Sequence, residues 1–105
     1  MASVTIKQHD TKVSFRDIPK VDGVALTPTD LASCTLSFIL KSATVSIKQP
    51  AVINADASFQ YDPVPADVAA TGDYQQEWEV VYPSGRILTF PNGDYNAVKI
   101  IADLG

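Results

Sequence analysis

The chain has 105 residues, of which 12 are acidic and 8 are basic, and its formal net charge is −4. This length suits one domain with one core, so we predict a single domain over residues 1–105. The basic residues are scattered, whereas a nucleic-acid-binding protein needs a basic stripe that displaces counterions from phosphates. Nucleic acid is therefore not an expected partner.

The single cysteine, Cys34, excludes an internal disulfide, and a fold held by packing alone suits assembly in a reducing cytosol. The first ten residues lack the basic and apolar regions of a signal peptide. The apolar runs are far shorter than the roughly 20 residues of a transmembrane helix. We therefore expect neither secretion by that route nor a membrane partner.

Apolar residues at every second position predict strands along most of the chain. The predicted strand segments are residues 3–8 and 12–18, which read as two short strands or as one strand interrupted by a bulge, then 32–41, 44–48, a further apolar piece at 51–53, and 58–61, 74–82, 86–90 and 95–101. Pro50 cannot donate to a ladder and predicts a break between the fourth and fifth of these segments. Residues 20–30 read as a connection with a turn at Asp22-Gly23, and residues 62–71 as a loop with one helical turn at 66–69.

The hairpin at residues 74–90 is the predicted nucleus of the domain. Its first strand places on one side Tyr74, Gln76, Trp78, Val80 and Tyr82, and on the other Gln75, Glu77 and Glu79. Pro83-Ser84-Gly85 supplies the turn. Trp78 is the only tryptophan, and the burial of such a ring removes roughly 150 to 250 Å² from water, so we expect it at the centre of the core.

About seven short strands with frequent turn signals predict an all-β fold, an immunoglobulin-like antiparallel β-sandwich. No long helical pattern is present, which argues against a parallel α/β fold.

The residues that carry chemistry elsewhere have ordinary structural explanations in this chain. His9, the only histidine, has no nucleophile motif near it and is expected in an exposed turn. Cys34 lies on the same alternating face as Leu36 and Phe38 and is therefore expected in the core. No basic residue adjoins it in sequence, so nothing supports a lowered thiol pKa.

The acidic residues present two further alternatives. Asp62, Asp67 and Asp73 offer oxygen ligands, but their spacing matches no known calcium loop, so solvated loop carboxylates are favoured. Glu77 and Glu79 lie roughly 7 Å apart on one strand face, a separation within the range of glycosidases. A solvated face is again favoured. The chain has no glycine-rich phosphate loop, Cys-x-x-Cys pair or nucleophile elbow, so we predict no catalytic, cofactor-binding or metal-binding residues and no enzyme.

Four segments resemble a known family. Residues 21–27 fit a D-G-x-x-hydrophobic-T connection, and residues 57–61 a small-residue turn before an aromatic strand. Residues 71–80 fit T-G-x-Y-x-x-E-hydrophobic-x-V, and residues 83–95 fit P-x-G-x followed by T-F-P-N-x-x-Y. These patterns are similar to those of small immunoglobulin-like modules of bacteriophage virions, akin to the N-terminal domain of phage baseplate upper proteins. Asp56-Ala57-Ser58 stands where such modules commonly have glycine.

The resemblance implies a non-enzymatic virion structural protein, assembled in the host cytoplasm and present in many copies in a tail, baseplate, neck or capsid decoration. Its partners would be other virion proteins, and its functional surface an interface. The expected contacts are the loop residues Tyr61, Pro63 and Pro65 and the arm at residues 1–8.

Two rival functions remain open. A receptor- or carbohydrate-binding module of a fibre would need an exposed aromatic platform, for which only Tyr61 and Tyr95 are available. A hydrolase would use Glu77 and Glu79.

Overall fold

The computed structural model describes residues 3–12, 14–91 and 96–102. Its strands are β1 (Ser3–Lys7), β2 (Phe15–Asp17), β3 (Lys20–Val21), β4 (Val24–Ala25), β5 (Thr35–Lys41), β6 (Ser46–Ile53), β7 (Phe59–Tyr61), β8 (Gly72–Val81), β9 (Ile87–Phe90) and β10 (Asn96–Ile101). A single 3₁₀ turn covers Pro65–Val68, and the described residues contain no α-helix. The prediction of an all-β fold is confirmed.

Eight of the strands form one curled sheet, a half-barrel, in the order β1-β10-β8-β5-β6-β7-β2. Strand β9 is the eighth member and pairs with β8. Strands β8 and β5 form the middle of the sheet and are paired over seven positions. The two remaining strands, β3 and β4, form a small separate hairpin.

The sheet is mixed, so the prediction of an antiparallel arrangement is wrong for one pair. β1 lies parallel to β10, with Ser3 opposite Ala97 and Lys7 opposite Ile101. Parallel pairing of two strands so far apart in sequence depends on the path of the whole chain between them, which local alternation does not report.

The predicted break at Pro50 is also wrong, because β6 runs through it. Pro50 lies opposite Ser37 of β5, while β7 pairs only with Val52 and Ile53 at the end of β6. The other side of β6 at Pro50 therefore has no ladder in the described chain, and a proline whose missing donor faces such an edge breaks no hydrogen bond.

Two turns explain how short segments set the path of the sheet. At the β8–β9 hairpin, Gly85 adopts φ of +88°, and its N–H donates to the Tyr82 carbonyl at 2.8 Å. In the turn before β7, Ala57 adopts φ of +71° and its N–H donates to the Asn54 carbonyl at 2.9 Å. This left-handed conformation normally favours glycine, so the turn keeps a glycine-like backbone although the sequence carries alanine.

A short hairpin was missed in the connection at residues 20–30. β3 and β4 pair across the Asp22-Gly23 turn, where both turn residues have positive φ. Each strand is only two residues long, too short for alternation to reveal.

The buried side of the sheet carries the residues predicted for it. Tyr74, Gln76, Trp78 and Val80 of β8 are all buried, and Tyr82 is half-buried. The other buried apolar residues come from β1, β2, β5, β7, β9, β10 and three connecting segments: Ile6, Phe15, Leu31, Leu36, Phe38, Leu40, Ala57, Phe59, Val68, Phe90, Val98 and Ile100.

Aromatic rings occupy the centre of this core. Trp78 meets Phe38 edge-on, with centroids 5.4 Å apart, and lies 5.6 Å from Phe59. Phe59 in turn contacts Phe90 at 5.7 Å. The cluster therefore connects the central strands β5 and β8 with β7 on the opposite wall of the curl, and edge-to-face pairs of this kind add about 0.5 to 1.5 kcal/mol each.

A polar bridge joins the curl near its open side. Gln76 is 2% exposed, yet its side-chain carbonyl accepts a hydrogen bond from Asn96 Nδ2 at 2.8 Å. The same Asn96 nitrogen lies 3.2 Å from Asp17 Oδ2 of β2. A buried amide on the core face is thus paired, and β2 is connected to β10 by side chains where the two strands share no ladder.

Trp78→Ala is expected to lower the free energy of unfolding by about 3 to 5 kcal/mol, because it removes the ring on which the cluster depends. Trp78→Phe should cost less, since it keeps a ring and removes the indole N–H, which has no acceptor among the described residues. Val24→Ala, at a site 69% exposed, is the control and should change stability by less than about 0.5 kcal/mol. Urea unfolding followed by tryptophan fluorescence or, for the Trp78 variants, by circular dichroism measures all three. Equal losses in Trp78→Ala and Val24→Ala would contradict this account of the core.

Candidate interaction surface

The outer face of β2, β7 and β6 is the candidate site. In the register of these strands Arg16 lies opposite Gln60, and Gln60 lies opposite Val52. Phe15 and Phe59 are buried on the inner side, so these three residues point outward. We call this surface the β2–β7–β6 face; it consists of Ser14, Arg16, Ile18, Pro50, Val52, Asn54, Asp56, Ser58, Gln60 and Asp62.

Side-chain hydrogen bonds run across this face from strand to strand. Asn54 Nδ2 donates to Ser58 Oγ at 3.1 Å and to Gln60 Oε1 at 3.2 Å. Gln60 Nε2 donates to Asp62 Oδ1 at 3.1 Å, and the Ser14 hydroxyl donates to the same oxygen at 2.5 Å. The polar groups therefore restrain one another, so their positions are set before any ligand arrives.

Ser58 connects this network to the two charged residues at its edge. Its hydroxyl donates to Asp56 Oδ1 at 2.6 Å and lies 3.5 Å from Arg16 Nη2. Ser58 is only 6% exposed, whereas Arg16 and Asp56 are exposed. The face thus offers a cation and an anion side by side on a fixed support.

Two open grooves follow the network. One, of about 570 Å³, is lined by Arg16, Asp17, Ile18, Lys20, Asp56 and Ser58. The other, of about 270 Å³, is lined by Pro50, Ala51, Val52, Asn54, Gln60, Tyr61 and Asp62. Exposed apolar residues stand at both margins, Ile18 at 59% and Val52 at 58% exposed. Apolar contacts beside ordered polar groups are what a protein partner requires of a surface.

Hydrogen bonding shifts the titration of both carboxylates on this surface. The Ser58 hydroxyl, and after it the Ser58 N–H, lowers the pKa of Asp56. The Ser14 hydroxyl, and after it the Gln60 amide, lowers the pKa of Asp62. In both cases donors favour the ionised form, so the network is arranged for charged carboxylates.

The loop residues expected to form the interface have a different location. Tyr61 is half-buried and stacks on Phe38, with centroids 4.3 Å apart. Pro63 is buried, and only Pro65 is exposed. Of the three expected contact residues, Tyr61, Pro63 and Pro65, only Pro65 is therefore exposed, and Tyr61 packs against the core at the end of β7.

Hydrogen bonds to the side chain of Asp67 fix the loop that follows β7 against the rest of the domain. Asp67 was expected to be a solvated carboxylate, but it is 6% exposed. Its Oδ2 accepts hydrogen bonds from the Tyr61 hydroxyl at 2.6 Å and from the Val64 N–H at 3.0 Å. Burial, and secondly Asp67, raises the pKa of the Tyr61 hydroxyl above its ordinary value.

The possible metal ligands do not converge. Asp62 lies on the β2–β7–β6 face, Asp67 is bound to Tyr61, and Asp73 is exposed near the start of β8, opposite Lys99 of β10. Within residues 3–12, 14–91 and 96–102 no group of three His, Cys, Asp or Glu side chains is placed to hold an ion. The same residues contain no helix long and apolar enough to cross a membrane.

The remaining candidate residues take structural positions. His9 is exposed in a turn with φ of +62°, as predicted. Cys34 is half-buried just before β5, where burial raises the pKa of its thiol. Glu79 forms a 2.9 Å ion pair with Lys48 across β5, and Glu77 beside it is half-buried. Tyr95, the turn at residues 92–94 and residues 1–2 of the expected arm lie outside the described residues.

The β2–β7–β6 face was missed because its residues come from three separated segments. The available signal was the alternation of Ser58, Gln60 and Asp62 with the aromatic residues Phe59 and Tyr61. It marks an outward polar row, but the neighbours of that row depend on pairing over more than 40 residues.

Comparison with known proteins finds no family model and no curated protein that matches the chain.

The lowered pKa values predict acid sensitivity. A carboxylate whose pKa is lower in the folded protein adds stability above its unfolded pKa, about 3.9 for Asp, and this stability is lost as the pH falls through the lower folded value. Asp62→Asn should therefore reduce the loss of unfolding free energy between about pH 5 and pH 2.5, the acid range in which such a carboxylate becomes protonated. Ser14→Ala should reduce it similarly, because its hydroxyl is the main cause. Urea unfolding at several pH values measures it, and an unchanged pH dependence in both variants would be the contrary result.

Tyr61→Phe tests the buried contact with Asp67. It is expected to lower the free energy of unfolding by about 1.5 to 3 kcal/mol, the value of a hydrogen bond to a charged group. The wild type should also lose stability as the pH rises above about 10, since a raised folded pKa disfavours ionisation of the tyrosine in the folded state. Tyr61→Phe should lose less over that range. Absorbance at alkaline pH, with Tyr82→Phe as the comparison, identifies the phenol concerned.

Proposed function

We propose that the protein is a non-enzymatic structural component of a bacteriophage virion, an immunoglobulin-like module that acts through protein interfaces. In this proposal it is present in many copies in a tail, baseplate or neck or as a capsid decoration. Its partners are other virion proteins, and its place is the assembled particle.

Two features of the fold support the immunoglobulin-like part of the proposal. Strands β5, β8 and β10 are neighbours in that order, as strands C, F and G are in immunoglobulin domains. In addition, the hydroxyl of Tyr74, near the start of β8, donates to the Ala70 carbonyl at 2.7 Å. Immunoglobulin-like domains carry such a tyrosine corner at the start of strand F, with its hydroxyl bonded to backbone a few residues upstream.

The β2–β7–β6 face supports the proposal that the protein acts through an interface. Its amides, hydroxyls and carboxylates are already ordered by mutual hydrogen bonds, so little side-chain entropy would be lost on binding. Arg16, a residue type enriched at interfaces, shares this face with exposed Ile18 just after its own strand and with exposed Val52, which lies on the far side of Gln60.

A receptor- or carbohydrate-binding module is the second candidate, and one observation favours it. Planar polar groups of Asn54, Gln60 and Asp62 line the smaller groove, and such groups can bond the hydroxyls of a sugar. Tyr61 also lines this groove, but it is half-buried and its ring stacks on Phe38, so it does not supply an exposed aromatic platform. The virion interface is therefore preferred.

Binding to particles tests the proposal. The purified protein is mixed with virions stripped of it, and the bound fraction is measured by co-sedimentation over a concentration series. Wild-type protein should bind saturably, and Arg16→Glu should bind about tenfold more weakly, equivalent to about 1.4 kcal/mol. Lys41→Glu is the matched control, because it reverses one exposed charge on β5, opposite the uncharged Ser46 and Gln75, and Lys41 is not part of the β2–β7–β6 face.

The outcomes separate the alternatives. Equal binding by both variants would show that the β2–β7–β6 face is not the interface. A protein that does not bind particles but binds glycans or host cells would favour the second candidate. The saturating copy number per particle distinguishes capsid decoration from a component of the tail, where cyclic symmetry limits the copies.

A further inference from the structure

The outer edge of β9 is an unpaired strand edge. β9 pairs with β8 through Ile87, Leu88, Thr89 and Phe90, and no described strand pairs with its other side. Strand edges with open backbone groups accept further strands unless something prevents it.

The hairpin fixes which backbone groups face this edge. The Tyr82 N–H donates to the Arg86 carbonyl, so Arg86 directs its backbone groups toward β8. In an antiparallel ladder alternate residues face alternate sides. Leu88 therefore also faces β8, while Ile87 and Thr89 direct their N–H and C=O groups outward.

Among the described strands, the other unpaired edges carry features that discourage pairing. The open part of β6 contains Lys48 and Pro50, β1 ends in Lys7, β2 is three residues long and includes Arg16 and Asp17, and β3 and β4 have two residues each. Charge, proline and shortness are the usual protections of a sheet edge. The sequence of β9 is Ile-Leu-Thr-Phe, which contains neither a charged residue nor a proline. Ile87 in this strand is 60% exposed.

We propose that β9 pairs antiparallel with β9 of a second copy of this chain, about a two-fold axis at Leu88. This register places Ile87 opposite Thr89 of the second copy, and Thr89 opposite its Ile87. Both members of each pair direct their backbone groups outward, so four N–H···O=C bonds form across the axis. Leu88 faces its own counterpart at the closer, non-hydrogen-bonded position.

The side chains suit this arrangement. Ile87 and Thr89 share the outer side of the sheet, and a pair of β-branched residues is favourable across strands. Leu88 is half-buried against the core and would be covered further by its counterpart. No charge lies between Arg86 and Pro91, so no like charges meet near the axis. A second copy therefore fits this edge without any change in sequence.

A four-residue edge is small, so the dimer is expected to be weak and to form at high local concentration. The inference stands apart from the virion role: it concerns contact between copies, whereas particle binding was assigned to the β2–β7–β6 face.

Sedimentation velocity over a concentration series to about 1 mM, the range in which weak complexes with ΔG near −4 kcal/mol are populated, measures the dimer. Ile87→Lys places a charge at the paired edge and should weaken dimerisation at least tenfold. Val24→Lys makes the same kind of change at another exposed strand residue and should leave it unchanged. A wild type that remains monomeric, or a dimer equally sensitive to both variants or to neither, overturns the proposal.

Cross-linking tests the register. In a Cys34→Ser background, Leu88→Cys should oxidise to a covalent dimer, because the two Cα atoms lie about 4.5 Å apart in this pairing, within the range of a disulfide. Ile87→Cys is the control, since residues related diagonally lie about 7 to 8 Å apart. Cross-linking of Ile87→Cys in preference to Leu88→Cys overturns the register. A monomer that binds particles overturns only the pairing of β9, and a dimer that does not bind them overturns only the virion role.

Discussion

The contacts of Trp78 with Phe38 and Phe59 are the constraint on which the rest of the structure depends. A single curled sheet encloses a core only if its two ends are brought toward each other, and these rings fill the space between β5 and β8 on one side and β7 on the other. Trp78 is the largest fully buried side chain among the described residues, and the burial of such a ring removes about 150 to 250 Å² from water. Because β7 is fixed to the cluster by Phe59, its outward residues are fixed as well. The ordered polar face is therefore a consequence of the core beneath it.

The strands that alternate over long stretches could be predicted from sequence, because period two directly reports which side of a strand is buried. Tyr74, Trp78 and Val80 were assigned correctly for this reason. Gln76 was assigned to the same side, and the structure shows what makes a buried amide tolerable there: its partner Asn96, 20 residues away. What local patterns lack is information on pairing between distant segments, such as β1 with β10.

The wrong predictions also arise because local sequence patterns do not report which distant segments pair. Pro50 was read as a break because a central strand excludes proline, but whether a position faces a paired or an unpaired side depends on β7, which covers only the end of β6. Asp67 is predicted to be a solvated carboxylate because it lies in a loop, and Tyr61 is predicted to be an interface contact because it is an aromatic residue beside that loop. Their 2.6 Å contact satisfies both groups at once, and composition cannot reveal such reciprocity. The β2–β7–β6 face likewise exists only through register.

The parallel pairing of β1 with β10 has a practical consequence for rearranging the chain. Ser3 lies beside Ala97 and Lys7 beside Ile101, so Ser3 and Ile101 lie at opposite ends of the same ladder, about 13 Å apart along it at 3.3 Å per residue. A connection from Ile101 to Ser3 must therefore run back along the length of this ladder, because parallel neighbours cannot be joined by a tight turn. Reporters inserted at these two points would leave the sheet in opposite directions.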